Sequence, residues 1–165
     1  MRVLAVDVGL RTSGYVVCEV DNLNIRLIKE GEIKSPKDKK LPARLFFIYA
    51  KLREVIEEYR PQVLVLEKLY SHYRHPTTVS LLSQVRGAVL ILAEEHSIDF
   101  YEYAPTKARK SFVGKGSARS YQVKRMAENI LGTEVKSQHT ADAFSLVVAF
   151  SHYLKKKRLE DDWKD

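Results

Sequence analysis

The N-terminal run Val3-Leu4-Ala5-Val6-Asp7-Val8 constrains the fold more than any other stretch of this chain. It is almost wholly apolar, which is typical of a central β-strand that is covered on both faces. One carboxylate, Asp7, stands near its end, and a buried ionised carboxylate is costly unless it has a cationic partner. The run therefore predicts a central strand whose tip carries chemistry.

A second strand of the same type follows the first three strands and a helix. Residues 14–20 and 25–33 read as strands joined by short turns, so the chain begins with a three-stranded antiparallel meander. From Leu41 the apolar spacing changes to three and four, which predicts an amphipathic helix that ends before Pro61. Residues Val63-Leu64-Val65-Leu66-Glu67 then repeat the first pattern, a buried strand that ends on a carboxylate.

Two carboxylates at matching strand ends indicate a shared site. A strand that is reached through a crossover helix normally runs parallel to its neighbour, and this geometry places Asp7 and Glu67 side by side. Open α/β sheets hold their sites at the carboxyl ends of their strands. Either residue alone could be an ordinary charge at a strand end, but the pair favours a functional site.

The rest of the chain completes an α/β fold. The predicted elements after Glu67 are a helix over 77–96, a strand over 98–103, a short helix from Pro105, and helices over 121–131 and 138–157. The expected fold class is a five-stranded mixed sheet, with the antiparallel meander plus two parallel strands, flanked by helices. We expect one domain over residues 1–158 and a charged C-terminal tail over 159–165. Gly87, inside a predicted helix, suggests a close helix contact.

The last predicted helix supplies further site residues. His139 and Asp142 are three residues apart and share a face of its first turn. Asp142 could simply complement the helix dipole and His139 could be an exposed polar residue, but the neighbours of Asp142 are apolar. Together with Asp7 and Glu67, these residues form a donor set that suits Mg²⁺ or Mn²⁺ better than structural zinc. Two such ions can activate a water and stabilise the leaving oxygen of a phosphodiester.

Charge and aromatic residues point to a nucleic-acid partner. The 165 residues include 28 Lys and Arg against 21 Asp and Glu, a net charge of +7, although many proteins are mildly basic without binding polyanions. The loop after Glu67 interleaves Tyr, His and Arg, and a Gly-containing turn near Lys115 is surrounded by cations. Solvated basic loops would look the same. The candidate DNA-binding residues are Tyr70, Arg74, Arg86, Lys107, Arg109, Lys110, Lys115 and Arg119.

Cysteine usage and hydropathy indicate a cytoplasmic protein with no membrane partner. Cys18 is the single cysteine and lies in an apolar strand run, so it reads as a buried hydrophobic residue in a reducing compartment. The longest apolar run is about seven residues, below the ~20 that a membrane-spanning helix requires. Asp7 interrupts the stretch that a signal peptide would keep apolar.

Five motifs and the order of the elements resemble one family. The motifs are Val6-Asp7-Val8-Gly9 with Gly14-Tyr15, Leu66-Glu67, Gln84-Val85-Arg86-Gly87, residues 113–118 with Gln122-Val123, and His139-Thr140-Ala141-Asp142-Ala143. They span nearly the whole chain. By these motifs the sequence resembles the RuvC-type Holliday-junction resolvases, within the larger superfamily of nucleases with the ribonuclease H-like fold.

This resemblance implies a specific enzyme. Asp7, Glu67 and Asp142 match metal-binding catalytic carboxylates, and His139 matches a fourth position where the family carries Asp or His. The resemblance further implies a homodimer that nicks a four-way DNA junction symmetrically, with a branch-migration helicase as an additional partner. Tyr70 matches an aromatic residue that acts on DNA near the junction. Arg109 stands where the family often has a functional lysine, and Ser120 replaces a second basic position.

Three other functions fit part of this pattern. An actin-like ATP-binding module also carries Asp-x-Gly followed by Thr-Ser-Gly, but it needs two domains of this fold. A nuclease of the same fold that acts on RNA or on another branched DNA would have the same charge and metal chemistry. A non-catalytic nucleic-acid-binding protein is hard to reconcile with the complete acidic set.

Overall fold

The structure, a computed structural model, describes residues 1–69 and 76–162. Its elements are β1 (Arg2–Asp7), β2 (Thr12–Asp21), β3 (Asn24–Lys34), α1 (Leu41–Tyr59), β4 (Val63–Glu67), α2 (Pro76–Glu95), β5 (Asp99–Tyr103), α3 (Pro105–Val113), α4 (Ser120–Leu131) and α5 (Gln138–Asp162). Every predicted element is present close to its predicted limits, apart from the end of α5.

The five strands form one mixed sheet in the order β3-β2-β1-β4-β5. β1 and β2 pair antiparallel, as do β2 and β3, whereas β4 runs parallel to both β1 and β5. This arrangement confirms the antiparallel meander and the two parallel strands. The crossover through α1 brings Val6 of β1 opposite Leu66 of β4, so both strands end at the same edge.

Helices cover both faces of the sheet, which explains the nearly continuous apolar runs of β1 and β4. Leu4 and Leu64 point to one face and pack with residues of α1 and α2. Val3 and Val65 point to the other face and pack with α3, α4 and α5. All four side chains are fully buried or nearly so, and each contributes roughly 1.5–3 kcal/mol by leaving water. Cys18 is buried in the second of these cores, as predicted.

The helix α2 differs from expectation in two ways. The predicted close helix contact at Gly87 is not found within residues 1–69 and 76–162 of one chain, because a Cβ placed there would meet none of their atoms within 4 Å. Among the described residues, α2 is also the one helix that by length and composition alone could cross a membrane, with a mean hydropathy of 1.3 and 22% of the apolar window buried. Its buried side packs on the sheet through Val85, Val89 and Leu92, as is usual for a helix that covers one face of a sheet in an α/β fold.

The helix α5 continues to Asp162, beyond the predicted end near Lys157. Residues 141–151 of this helix are mostly buried, and from His152 onward the described side chains are mostly exposed. The predicted charged tail therefore begins inside a continuous helix. The division between residues 1–158 and 159–165 stays a prediction.

Candidate active site

The carboxyl ends of β1 and β4 place two carboxylates next to each other. Asp7 and Glu67 each follow the register pair Val6 and Leu66 of the parallel ladder. The side chain of Asp7 is 22% exposed, and Glu67 is half-buried. The adjacency that the sequence predicts for these two strand ends is therefore confirmed.

A tight turn after β1 fixes the orientation of this edge. The Ser13 hydroxyl accepts the Gly9 N–H at 3.0 Å and donates to the Gly9 carbonyl at 2.8 Å. A Cβ at Gly9 would lie 2.2 Å from the Thr12 carbonyl oxygen, so a larger residue there would displace the turn. β2 consequently returns directly beside Asp7.

The start of α5 brings His139 over the sheet. Ser137 and Thr140 exchange hydrogen bonds between their side chains and backbone N–H groups at 3.1 and 3.3 Å, which fixes the first turn of the helix. His139 lies directly on Gly14, where a Cβ would be 2.3 Å from its backbone carbon. Its Nδ1 is 2.7 Å from Oδ2 of Asp7.

Mutual repulsion and burial perturb the carboxylates of this edge. Burial, followed by the negative charges of Asp7 and Asp142, raises the pKa of Glu67 to about 7. Burial and the charge of Asp7 also raise the pKa of Asp142, although the Gln138 amide donates to its carboxylate at 3.3 Å. The three carboxylates therefore act on one another electrostatically.

The imidazole of His139 is the hydrogen-bonding partner of the half-buried Asp7. The hydrogen bond to Asp7 raises the pKa of His139 against the opposing effect of burial, and the charges of Asp7, Glu32 and Asp142 add to this increase. The imidazolium form is thus favoured by the negative charge around it. The four predicted site residues are neighbours at one end of the sheet.

Arg109 lies at the rim of this acidic group rather than on a separate surface. Its guanidinium is 3.9 Å from Oδ1 of Asp142 and donates to the Ala118 carbonyl at 3.2 Å. The sequence predicts Arg109 as a DNA contact. Its position allows it to hold a phosphate and to offset the charge of Asp142.

Arg86 has its guanidinium inside the protein. It donates to the Glu67 carbonyl at 2.6 Å and pairs with the Glu102 carboxylate, and its side chain is 12% exposed. The guanidinium also lies 5.5 Å from the centre of the Phe100 ring. Arg86 therefore ties α2 to the ends of β4 and β5, and its predicted DNA contact stays untested.

The other predicted DNA contacts lie on α3 and on the α3–α4 connection. Lys107, Lys110, Lys115 and Arg119 are exposed, and the Nζ of Lys107 lies 5.3 Å from the centre of the Tyr103 ring. Gly114 ends α3 with a φ of 80°, a conformation that favours glycine. Tyr70 and Arg74 lie outside the described residues.

The donor set fits a hard divalent cation. Over residues 1–69 and 76–162, no three His, Cys, Asp or Glu side chains converge as a ready-made metal cluster. Three carboxylates nevertheless share one edge of the sheet. The positive charge of Arg109 lowers the pKa of Glu67 and of Asp142, against the larger effects that raise both. A cation among these oxygen donors would relieve their repulsion.

Glu32 of β3 is a neighbour of this site that sequence reasoning missed. It is 18% exposed, and hydrogen bonds from Ser137 and Lys34 hold its pKa below the usual range, as does the charge of His139. A β-bulge between Val17 and Cys18 shifts the β2–β3 register and brings Glu32 opposite Gly14. A bulge leaves no clear mark in a sequence, so strand alternation alone could not assign the face of Glu32.

Comparison with known proteins gives a consistent result. A family model described as crossover junction endodeoxyribonuclease RuvC matches residues 3–152. Proteins of that name from Bordetella parapertussis and Syntrophomonas wolfei are 35% and 32% identical; each alignment covers 92% of this chain, and 84% and 88% of the respective relatives.

Solved structures agree with the sequence relatives. Thermus thermophilus RuvC superposes with a TM-score of 0.84 at 26% identity, covering 95% of this chain and 97% of that one. The same protein in complex with a Holliday junction substrate gives a TM-score of 0.86 at 27% identity, covering 95% and 96%. The expected ribonuclease H-like fold and the resemblance are confirmed, and the chain belongs to the crossover junction endodeoxyribonuclease RuvC family.

Proposed function

We propose that this chain resolves four-way DNA junctions by paired symmetric nicks. The observation that carries this function is the group of Asp7, Glu67, Asp142 and His139 at one sheet edge, in a member of an endodeoxyribonuclease family. The T. thermophilus relative has been solved with a Holliday junction substrate. A substrate of the same kind suits the exposed cations of this chain.

We infer that Asp7, Glu67, Asp142 and His139 hold divalent ions, Mg²⁺ or Mn²⁺, two in each active site. When bound, such ions activate a water and stabilise the leaving oxygen of a phosphodiester. The protein supplies carboxylate oxygens, and burial together with the charges of Asp7 and Asp142 raises the pKa of Glu67 among them. It also supplies a hydrogen bond between His139 and Asp7 that orients Asp7.

The DNA backbone is proposed to follow the α3–α4 connection toward Arg109. Lys107 and Lys110 expose their charges on α3, and Lys115 and Arg119 do so on the α3–α4 connection. The Arg109 guanidinium lies 3.9 Å from the Asp142 carboxylate. Phosphate contacts of this kind supply most of the affinity and little sequence preference. Tyr70 and Arg74 are proposed to act on DNA near the centre of the four-way junction. Arg86 is proposed to support the end of β4, which carries Glu67.

The chain is proposed to act as a homodimer that pairs through α1 and α2. Phe46 of α1 is 66% exposed and Ile91 of α2 is 57% exposed. Phe46 stacks on Tyr49, whose hydroxyl donates to Glu95 one turn beyond Ile91, so the two apolar residues border one surface. Contiguous exposed apolar surface is typical of protein interfaces. A two-fold dimer would present two active sites to a two-fold junction.

We place the chain in the cytoplasm, where a single buried cysteine such as Cys18 stays reduced. A branch-migration helicase is the proposed partner at the junction. Co-purification of a helicase with this chain in the presence of junction DNA would test the proposed partner.

The proposed function is tested on labelled synthetic substrates. Wild-type protein, Asp142→Asn and the control Asp99→Asn, which alters an exposed residue at the far end of β5, are each incubated with a four-way junction, a linear duplex and an RNA–DNA hybrid. Each reaction is run with Mg²⁺ and with chelator. Paired nicks in the junction with wild type and the control, absent in Asp142→Asn, support the proposal. Cleavage of the hybrid alone would move the activity to RNA, and no metal-dependent cleavage would leave a binding protein.

A further inference from the structure

Glu32 lies in the same row of the sheet as Asp7. Asp7 is opposite Gly14 in the β1–β2 ladder, and Gly14 is opposite Glu32 in the β2–β3 ladder. Residues that pair across a ladder point to the same face, here the face that α5 covers. The side chains of Asp7 and Glu32 therefore flank the bare backbone of Gly14.

His139 occupies the position above Gly14. A Cβ at Gly14 would lie within 2.6 Å of the carbonyl carbon, the carbonyl oxygen and the Cβ of His139, so no side chain fits between them. On one side of Gly14, Asp7 of β1 contacts the imidazole at 2.7 Å. On the other side, Glu32 lies on β3, which also pairs with β2. The imidazole thus stands between a carboxylate on β1 and a carboxylate on β3.

The strand β3 also fastens the segment that leads into α5. Glu30 accepts the Lys136 N–H at 3.3 Å, and the Lys136 ammonium is 3.5 Å from the Glu30 carbonyl. The Ser137 side chain lies close enough to the Glu32 carboxylate to lower the pKa of Glu32 through hydrogen bonding. Lys34 pairs with Glu32 at 3.1 Å, so Glu32 has defined partners on both sides.

We propose that Glu32 is a positioning residue of the active site, which holds the first turn of α5 through Ser137 and thereby sets the imidazole of His139 against Asp7. Partners that orient a metal-binding histidine are typically worth about 10- to 100-fold in metal affinity or activity. The metal consequence rests on the proposed function, whereas the placement of the imidazole does not. Glu32 touches neither substrate nor the reacting atoms in this role.

The test uses the full chain, four variants for comparison and a fifth, His139→Asn, for signal assignment. Glu32→Gln removes the charge and keeps the shape. Ser137→Ala keeps the carboxylate and removes both the contact with Glu32 and the hydrogen bond that Ser137 accepts from the Thr140 N–H, so Glu32→Gln is the decisive single variant. Their combination reports whether the two act together. The matched control is Glu19→Gln, which alters a carboxylate at the other end of β2 that is paired with Arg26. Far-UV circular dichroism verifies folding, and Ser137→Ala carries the test if Glu32→Gln does not fold.

Two readouts separate this inference from the proposed function. In chelator, the ¹⁵N signals of the His139 ring, assigned with His139→Asn, are expected to move in Glu32→Gln and in Ser137→Ala but not in Glu19→Gln. With junction DNA, the Mn²⁺ concentration for half-maximal cleavage is expected to rise about 10-fold or more in Glu32→Gln, while junction affinity in chelator stays at the wild-type value. The double variant should show less than the product of the single effects.

The opposite results overturn the inference. Glu32→Gln could give the same His139 ring signals and the same metal requirement as the control Glu19→Gln. This result would show that Glu32 does not position His139, even if wild type resolves junctions. If wild type cleaves no junction with any metal while the ring signals move, the proposed function fails and the positioning role stands.

Discussion

Replacing Glu67 by Gln is expected to stabilise the metal-free protein while abolishing cleavage. The pKa of Glu67 rises from its ordinary value of 4.5 to about 7 in the folded chain, because burial and two neighbouring carboxylates disfavour its charged form. One pKa unit corresponds to ~1.4 kcal/mol. The ionised carboxylate therefore reduces the free energy of unfolding by about 3 kcal/mol at a pH above 7.

The pH dependence follows from the sign of this shift. A carboxyl group whose pKa is raised on folding stabilises the folded state below its unfolded pKa, and this contribution is lost as the pH rises through the folded pKa. Wild type and Glu67→Gln should thus be equally stable near pH 4. Between about pH 4.5 and 7, Glu67→Gln should become more stable than wild type. It should keep this difference in the free energy of unfolding above pH 7.

Thermal unfolding in chelator measures this difference. For a domain of this size, 1 kcal/mol shifts Tm by about 2–4 °C, so Glu67→Gln should melt about 6–12 °C above wild type at pH 8. Saturating Mg²⁺ should narrow the gap, because a cation that binds the folded wild type stabilises it by mass action. Glu94→Gln, on the exposed side of α2, is the control. Equal melting of Glu67→Gln and wild type at pH 8 in chelator would refute the raised pKa of Glu67.

Three further predictions concern glycine packing, DNA and the dimer. Gly14→Ala should lower the free energy of unfolding by about 1–3 kcal/mol and reduce cleavage, because its Cβ would collide with His139. Gly87→Ala, where a Cβ meets no described atom, should raise the free energy of unfolding by about 0.5–1 kcal/mol. Denaturant unfolding compares the two variants, and equal effects on stability would contradict the packing argument. Lys115→Ala should weaken junction binding and lower the log–log salt slope by about 0.9, the share of a single neutralised phosphate; titrations at several salt concentrations measure this, and an unchanged slope would place Lys115 off the DNA path. Ile91→Glu should convert the dimer to monomer by burying a charge in the interface; sedimentation velocity shows this, and a dimer that persists would place the interface elsewhere.

Much of the fold was predictable because its signals are strong and local. The apolar runs before Asp7 and Glu67 identified the two central parallel strands, and the change of period at Leu41 identified the crossover helix. From these, strand adjacency follows by the usual handedness of crossovers. His139 and Asp142 were placed on the site by their spacing on one helix.

The features that escaped prediction depend on tertiary geometry. Arg86 looked like a surface cation, but its guanidinium is held by Glu67 and Glu102, which are distant in sequence. Gly87 looked like a contact point and meets no described atom, since a helix pattern does not show where a neighbouring helix crosses it. Glu32 was hidden because one irregular residue in β3 decides which face it occupies.

That irregularity divides the hairpin of β2 and β3 into two separate registers. Val17 pairs with Lys29 and Cys18 pairs with Leu27, so within this described hairpin Ile28 has no partner across the ladder. Five steps of β3 lead from Leu27 to Glu32, but only four steps of β2 lead from Cys18 to Gly14. Deleting Ile28 would remove the extra residue and leave a regular ladder with the same partners on both sides. The bulge is therefore a reserve of one residue: β3 can lose a residue at Ile28 while Glu32 keeps its place opposite Gly14.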